Sequence, residues 1–254
     1  GDNGRIPVIA VTGTNGKTTT VRLTAHLLKA HQLRVGMTNT DGVYLNGRQT
    51  DSGDCSGPRS GRNVLAHPDV DAAVLETARG GMLREGLAFD RCSVAVVTNI
   101  GMGDHLGLNY ITTLEDLTVV KRVIVLNVEP TGMAVLNAND PAVAAMGRHC
   151  PGDVTFFGLD ANQPVLATHR AQGKRVVYID KGDIVAQKGP QIFRIPLSQV
   201  PVTRQGQIGF QTENVLAAVG AAWAVDMPWA IIAEGLSSFV SDIQGVPGRF
   251  NVFD

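Results

Sequence analysis

Five stretches of unbroken apolar character punctuate the chain, at 7–13 (PVIAVTG), 71–76 (DAAVLE), 93–99 (SVAVVTN), 132–137 (GMAVLN) and 153–158 (DVTFFG). A strand buried on both faces shows continuous rather than alternating apolarity, and such strands belong to mainly parallel sheets. Between them, apolar residues recur at helical spacing, which predicts helices over Thr18–Lys29, Leu114–Leu126 and Pro141–His149. Strand and helix in alternation predict an α/β fold: a mainly parallel, doubly wound sheet flanked by helices, with ligands at the carboxyl ends of the strands.

From about 161 to 209 the pattern changes to short strands with tight turns, as in KRVVYIDKGDIVAQ (174–187) and PQIFRIP (190–196). It predicts a small antiparallel β subdomain inserted in the domain. Helices resume over Glu213–Ala224 and Pro228–Ser238. The whole of 1–254 reads as one central domain, and 247–254, where Pro and Gly precede a new apolar start, reads as a hinge toward a further C-terminal domain.

Charge and cysteine content narrow the functions open to this fold. With a net charge of −1 and a pI near 6.7, the chain lacks the basic footprint of a nucleic-acid or membrane-surface binder, so local sites must carry any anion binding. Cys55, Cys92 and Cys150 show neither C-x-x-C nor zinc spacing, which suits a reducing compartment. No apolar run reaches the roughly 18 to 20 residues that span a bilayer, and the start GDNGRIP resembles no signal peptide. A cytoplasmic location is expected.

The chemistry begins at VTGTNGKTTT (11–20). A buried strand leads into a turn with two glycines, Gly13 and Gly16, and then into a helix opening with Lys17 and Thr18. Backbone N–H groups and a partial positive charge at such a helix start receive phosphate. Lys17 reaches toward β- and γ-phosphates and the Thr18 hydroxyl toward Mg²⁺. The strict phosphate-loop pattern G-x-x-x-x-G-K-[ST] wants a glycine where Val11 stands, so this loop is a shortened one.

That shortened loop resembles the one in Mur ligases and folylpolyglutamate synthetases, which form amides with ATP, and the resemblance covers nearly the whole chain. It implies that Gly13, Thr14, Asn15, Gly16, Lys17, Thr18 and Thr19 bind ATP. Glu76 ends an apolar run; alone it is a helix cap, a surface residue or a cation ligand, and the resemblance makes it a magnesium ligand with Thr18. His105, beside Asp104, is structural or a metal or phosphate partner by position; the resemblance implies a hold on a second Mg²⁺. Here Gly-Met-Gly separates Asn99-Ile100 from Asp104-His105, one residue more than the family's usual spacing. Lys121 reads as a snorkelling lysine or, by resemblance, as a catalytic lysine modified by CO₂. Asn214 matches one of two adenine-side asparagines, Gln211 standing for the other. Arg249 matches a hinge arginine that approaches the nucleotide phosphates.

Within the superfamily, TNTDGVYLNGRQTDSGDCSGP (38–58), ETARGGMLREGLAFDRC (76–92), GDHLGLNYITTLEDL (103–117) and VPGRFN (246–251) are most similar to the Mur-ligase-like half of the cyanophycin synthetases. The resemblance implies that arginine is joined to the aspartate β-carboxylate of an aspartate-ended cyanophycin chain through an acyl phosphate. ATP-grasp and C-terminal domains of a parent protein, itself a homo-oligomer, are then the partners, and the isolated domain need not be active. The glycine-rich segment Thr38–Arg62 reads as a substrate loop, with Arg59 and Arg62 unassigned. Two alternatives stay open: another amino-acid ligase of the superfamily, and a nucleotide-binding module without turnover.

Overall fold

The computed structural model describes residues 5–101 and 111–239. Eleven strands form a single sheet: β1 (Val8–Thr12), β2 (Val35–Asn39), β3 (Gly42–Leu45), β4 (Arg48–Ser52), β5 (Ala72–Glu76), β6 (Cys92–Val97), β7 (Val128–Asn137), β8 (Asp153–Gly158), β9 (Val176–Asp180), β10 (Asp183–Lys188) and β11 (Gln191–Pro196), in the order β11-β10-β9-β8-β7-β6-β1-β5-β2-β3-β4. The strands from β9 across to β2 run parallel. The antiparallel strands expected in 161–209 are present as the β9-β10-β11 meander, and they extend the main sheet. A second antiparallel pair, β3-β4, closes the other edge.

Helices cover both faces, as a parallel sheet requires. Helices α1 (Lys17–Ala30), α7 (Gly209–Ala224) and α8 (Trp229–Ser238) pack on one, where alternate strand residues Ile9, Val11, Val74, Val94, Val96 and Val135 meet Leu23, Leu27, Leu216 and Leu236. The opposite strand residues, among them Ala10, Leu75, Ala95 and Leu136, face α2 (Pro58–Leu65), α3 (Arg79–Glu85), α4 (Leu114–Leu126), α5 (Pro141–Ala144) with its 3₁₀ extension Ala145–His149, and α6 (Pro164–Ala171). Helix α4 spans the predicted residues and is fixed at its start by a capping box: the Thr113 hydroxyl accepts from the Asp116 amide, and the Asp116 carboxylate accepts from the Thr113 amide.

Thr38–Arg62 is not one loop. It folds into the end of β2, the β3-β4 hairpin and most of α2, leaving 53–57 as the irregular link. The turn from β2 into β3 is built on Asn39, whose Oδ1 accepts from the amides of Asp41 and Gly42 at 2.8 and 3.1 Å. Helix α2 begins with Pro58 at its first position, where the missing N–H costs nothing.

Candidate functional site

Strand order reverses between β1 and β6. From β1 the chain leaves through α1 toward β2 on one side, and from β6 it leaves through α4 toward β7 on the other. The two loops diverge above the strand ends and open a crevice, the place where doubly wound sheets bind ligands. The glycine turn 13–16 lies on one wall and Thr98–Gly101 on the other.

The walls are stitched together. Asn99 receives the Thr14 amide on its backbone oxygen at 2.9 Å and the Asn15 amide on Oδ1 at 2.8 Å. Its Nδ2 returns a bond to the Asn15 carbonyl at 3.2 Å, which the Thr98 hydroxyl also reaches at 2.6 Å. Behind them, Asn137 Nδ2 donates to the Thr98 carbonyl at 2.9 Å, and Asp140 accepts from the Ile100 amide at 2.7 Å while capping α5. The amides of Thr14 and Asn15 are therefore committed to Asn99. The donors left for an anion are the first amides of α1, at Lys17, Thr18 and Thr19, which a helix cannot satisfy internally.

Two glycines allow this fit. Gly16 caps α1 with φ 82°, in the left-handed region, and a Cβ there would overlap Oδ1 of Asn214. A Cβ on Gly13 would overlap the Thr98 hydroxyl. Asn214, buried on α7, donates through Nδ2 to Gln211 Oε1 at 3.1 Å, so the two side chains expected near adenine form one buried pair set against the turn. Next to it, the half-buried Glu213 has its carboxyl pushed above the ordinary range by burial, an effect opposed by hydrogen bonds from Asn137 and Asn139.

Lys17 curls over the turn and donates to the carbonyls of Gly13 at 2.8 Å and Thr14 at 3.0 Å. Lys121, 1% exposed despite its charge, donates to the same Gly13 carbonyl at 2.9 Å. The lysine is not a snorkelling surface residue: α4 delivers it under the turn, so two ammonium groups share one carbonyl oxygen.

On the β5 side, Thr18 Oγ1 donates to Glu76 Oε2 at 2.8 Å and lies 3.1 Å from Thr40 Oγ1. Glu76, the last residue of β5, is 2% exposed. Burial of a carboxylate is costly unless it is hydrogen-bonded or coordinates a cation. Hydroxyl, hydroxyl and carboxylate make an all-oxygen donor set suited to a hard divalent ion. Among the described residues no group of three His, Cys, Asp or Glu could hold a metal unaided, so a cation at this corner would complete its shell with phosphate oxygens and water. His105 and Arg249 lie outside the described residues. The contacts of Thr98 and Thr40 carried no signal in the sequence; Asn99 stands in a segment that resembles the family and Asp140 in an Asn-Asp-Pro helix start, but neither motif shows which atoms they bind.

The Mur ligase middle domain model matches residues 11–222. The chain belongs to this family. Its loop, crevice and buried Glu76 are thus features of a Mur ligase middle domain.

Among curated relatives of this middle domain, cyanophycin synthetase of Synechocystis sp. is 43% identical over 100% of the chain, and that of Geminocystis herdmanii 43% over 98%. The chain spans about 29% of the length of these relatives. A UDP-N-acetylmuramoyl-L-alanyl-D-glutamate–2,6-diaminopimelate ligase of Bacillus licheniformis is 27% identical over 98% of the chain and 49% of its own length. Of solved structures, a ligase of the same name aligns over 98% of the chain and 49% of its own, with a TM-score of 0.74 and 23% identity. MurF from Thermotoga maritima in complex with ADP aligns over 98% and 51%, with a TM-score of 0.63 and 22% identity. At these identities the structures establish the shared fold.

Proposed function

We propose that the chain is the ATP-binding middle domain of an ATP-dependent acid–amino-acid ligase, and that in a longer cyanophycin synthetase-type protein it joins arginine to the aspartate β-carboxylate of an aspartate-ended cyanophycin chain. The observation that carries this reading is the shortened glycine turn set directly against Thr18 and the buried Glu76 at the switch point of the sheet. The contrast between 43% identity to cyanophycin synthetases and 27% to a diaminopimelate ligase favours this substrate pair over a peptidoglycan one.

In the proposed reaction the substrate carboxylate takes the γ-phosphoryl group of ATP to give an acyl phosphate, and the α-amine of arginine then displaces phosphate to form the amide. Two anions must meet, and at about 4 Å two unit charges repel by about 4 kcal/mol at an effective dielectric of about 20. Lys17, released from the carbonyls of Gly13 and Thr14, turns outward onto the phosphates, and the first amides of α1 hold them at the helix start. Thr18 and Glu76 would hold Mg²⁺, and His105 would help to hold a second ion; Mg²⁺ bound there would supply charge neutralisation for the transferring group. Lys121 lies under the turn as the further catalytic lysine, Asn214 flanks the adenine side, and Arg249 closes on the phosphates from the hinge. Preceding ATP-grasp and following C-terminal domains, a homo-oligomeric parent and a cytoplasmic setting complete the proposal. No helix among the described residues is long and apolar enough to cross a membrane.

Arginine incorporation into an aspartate-ended primer, with ATP, by the longer protein carrying Glu76→Ala tests it. We expect incorporation to fall by at least about 100-fold, the scale for loss of a transition-state electrostatic contact. Undiminished incorporation refutes the role of Glu76, and wild-type preference for another amino acid refutes the substrate.

A further inference from the structure

On the face of the sheet that carries α4, the outer side of α4 meets the 3₁₀ turn Ala145–His149. Here Arg122 Nη1 lies 3.3 Å from His149 Nε2, and Arg148 Nε donates to the same nitrogen at 3.2 Å. Both guanidinium groups thus converge on a single imidazole lone pair. The arrangement requires Nε2 unprotonated and the ring proton on Nδ1.

Like charges drawn together around a neutral ring destabilise one another unless something opposes them. Arg5, Arg22, Arg34, Arg62, Arg175 and Arg194 each pair with a carboxylate. Arg122 and Arg148 have no such partner among the described residues. Moreover, Arg122 Nε is buried and makes no hydrogen bond. A buried guanidinium N–H left unmade costs free energy of the order that removes most such cases from native proteins.

We propose that Arg122, Arg148 and His149 form a second anion site, distinct from the phosphate loop, that takes a phosphate-type dianion. Three donors approaching one point from two elements match the several oxygens of a tetrahedral anion better than the two of a planar carboxylate, and guanidinium forks recognise phosphate oxygens in pairs. Once the anion sits between the guanidinium groups, His149 gains a reason to protonate and become the third donor. The imidazole is now held below its ordinary pKa by desolvation first and then by Arg122 and Arg148. The anion reverses the electrostatic part of that balance. Free phosphate and a phosphate group on a larger molecule share this chemistry.

The test is an NMR titration of the six histidines, with His149 assigned by its loss in His149→Gln. It is run in sodium phosphate at about 20 mM and in sodium chloride at matched ionic strength, with AMP and tetra-aspartate as further arms. Phosphate is expected to raise the His149 pKa by about one unit, the scale of a nearby opposite charge, and to do so equally in Lys17→Ala. Arg122→Gln/Arg148→Gln is expected to abolish the rise while leaving the other five titrations unchanged. Should the double variant not fold, the exposed Arg148→Gln alone is expected to reduce the rise. A response to AMP but not to free phosphate would assign the source to a larger molecule. An equal response in chloride, a response to tetra-aspartate alone, or no response to any phosphate overturns the site.

Discussion

Gly16 joins three demands at one Cα: it takes the left-handed conformation that starts α1, it leaves room for Asn214, and it keeps the first amides of the helix facing the crevice. A methyl group there violates the first two together. Gly16→Ala is expected to destabilise the domain by about 1–3 kcal/mol, the cost of a strained φ with a buried clash, and to weaken nucleotide binding more than Asn214→Ala does. Urea unfolding and nucleotide titration of both variants check this; wild-type stability in Gly16→Ala would show that Asn214 does not need the approach. Thr18 and Glu76 were readable from sequence for different reasons. Thr18 stands in the first turn of α1, where a Gly-Lys-Thr order has few structural purposes, whereas Glu76, at the end of β5, was singled out as a metal ligand by the family resemblance rather than by its position. The hold of Asn99 on two loop amides was not readable, because it depends on β6 lying beside β1, a neighbour relation between residues more than 80 apart in the chain.

Among the elements, those with long apolar runs declared themselves: β1, β5, β6, β7 and β8, and helices α1 and α4 with boundaries within a residue. Strand β2 did not. Its Gly36, Thr38 and Asn39 break the apolar run, yet Gly36 is needed, since a Cβ there would overlap Val64 and crowd Val70. Helix α3, RGGMLRE, hid behind two glycines, of which Gly81 packs against Gly57 and Pro58. Helix α6 hid inside a stretch dominated by strand patterning. What fastens β2 in place is visible only in three dimensions: Arg34, just before it, gives Nε and Nη2 to the two oxygens of Asp71, just before β5, at 2.9 and 2.7 Å. The hydrogen bond from the Arg34 side chain, foremost, holds the Asp71 carboxyl down at about 2. A depressed folded-state pKa means that this clasp stabilises the fold fully above the ordinary carboxylate value of 3.8 and is lost as pH falls from there through about 2. Carboxyl-carbon NMR is expected to show Asp71 titrating near 2, and Arg34→Ala to raise it part of the way to the ordinary range, since the residue 34 amide still donates to Asp71 Oδ2; an unchanged titration in the variant would remove the side-chain pair as the cause.

At the scale of the molecule, the shortened loop, the α1 start and the Glu76 corner share one crevice because the chain reverses its winding between β1 and β6, a property of strand order that no local motif contains. Apolar patterning could foretell a doubly wound sheet and that ligands gather at strand ends. It foretold antiparallel strands within 161–209, but as an inserted subdomain rather than as the edge of the main sheet, and it did not foretell the β3-β4 pair at the other edge, where β4 is exposed along its whole length. The central claim is that this crevice binds a nucleotide through the loop and Lys17. Calorimetric titration of MgATP into the wild-type protein and Lys17→Ala tests it most directly: one site per chain in the wild type, with affinity reduced by at least about tenfold in the variant, a loss of about 1.4 kcal/mol, is the predicted result, and equal affinity in the two proteins would contradict it.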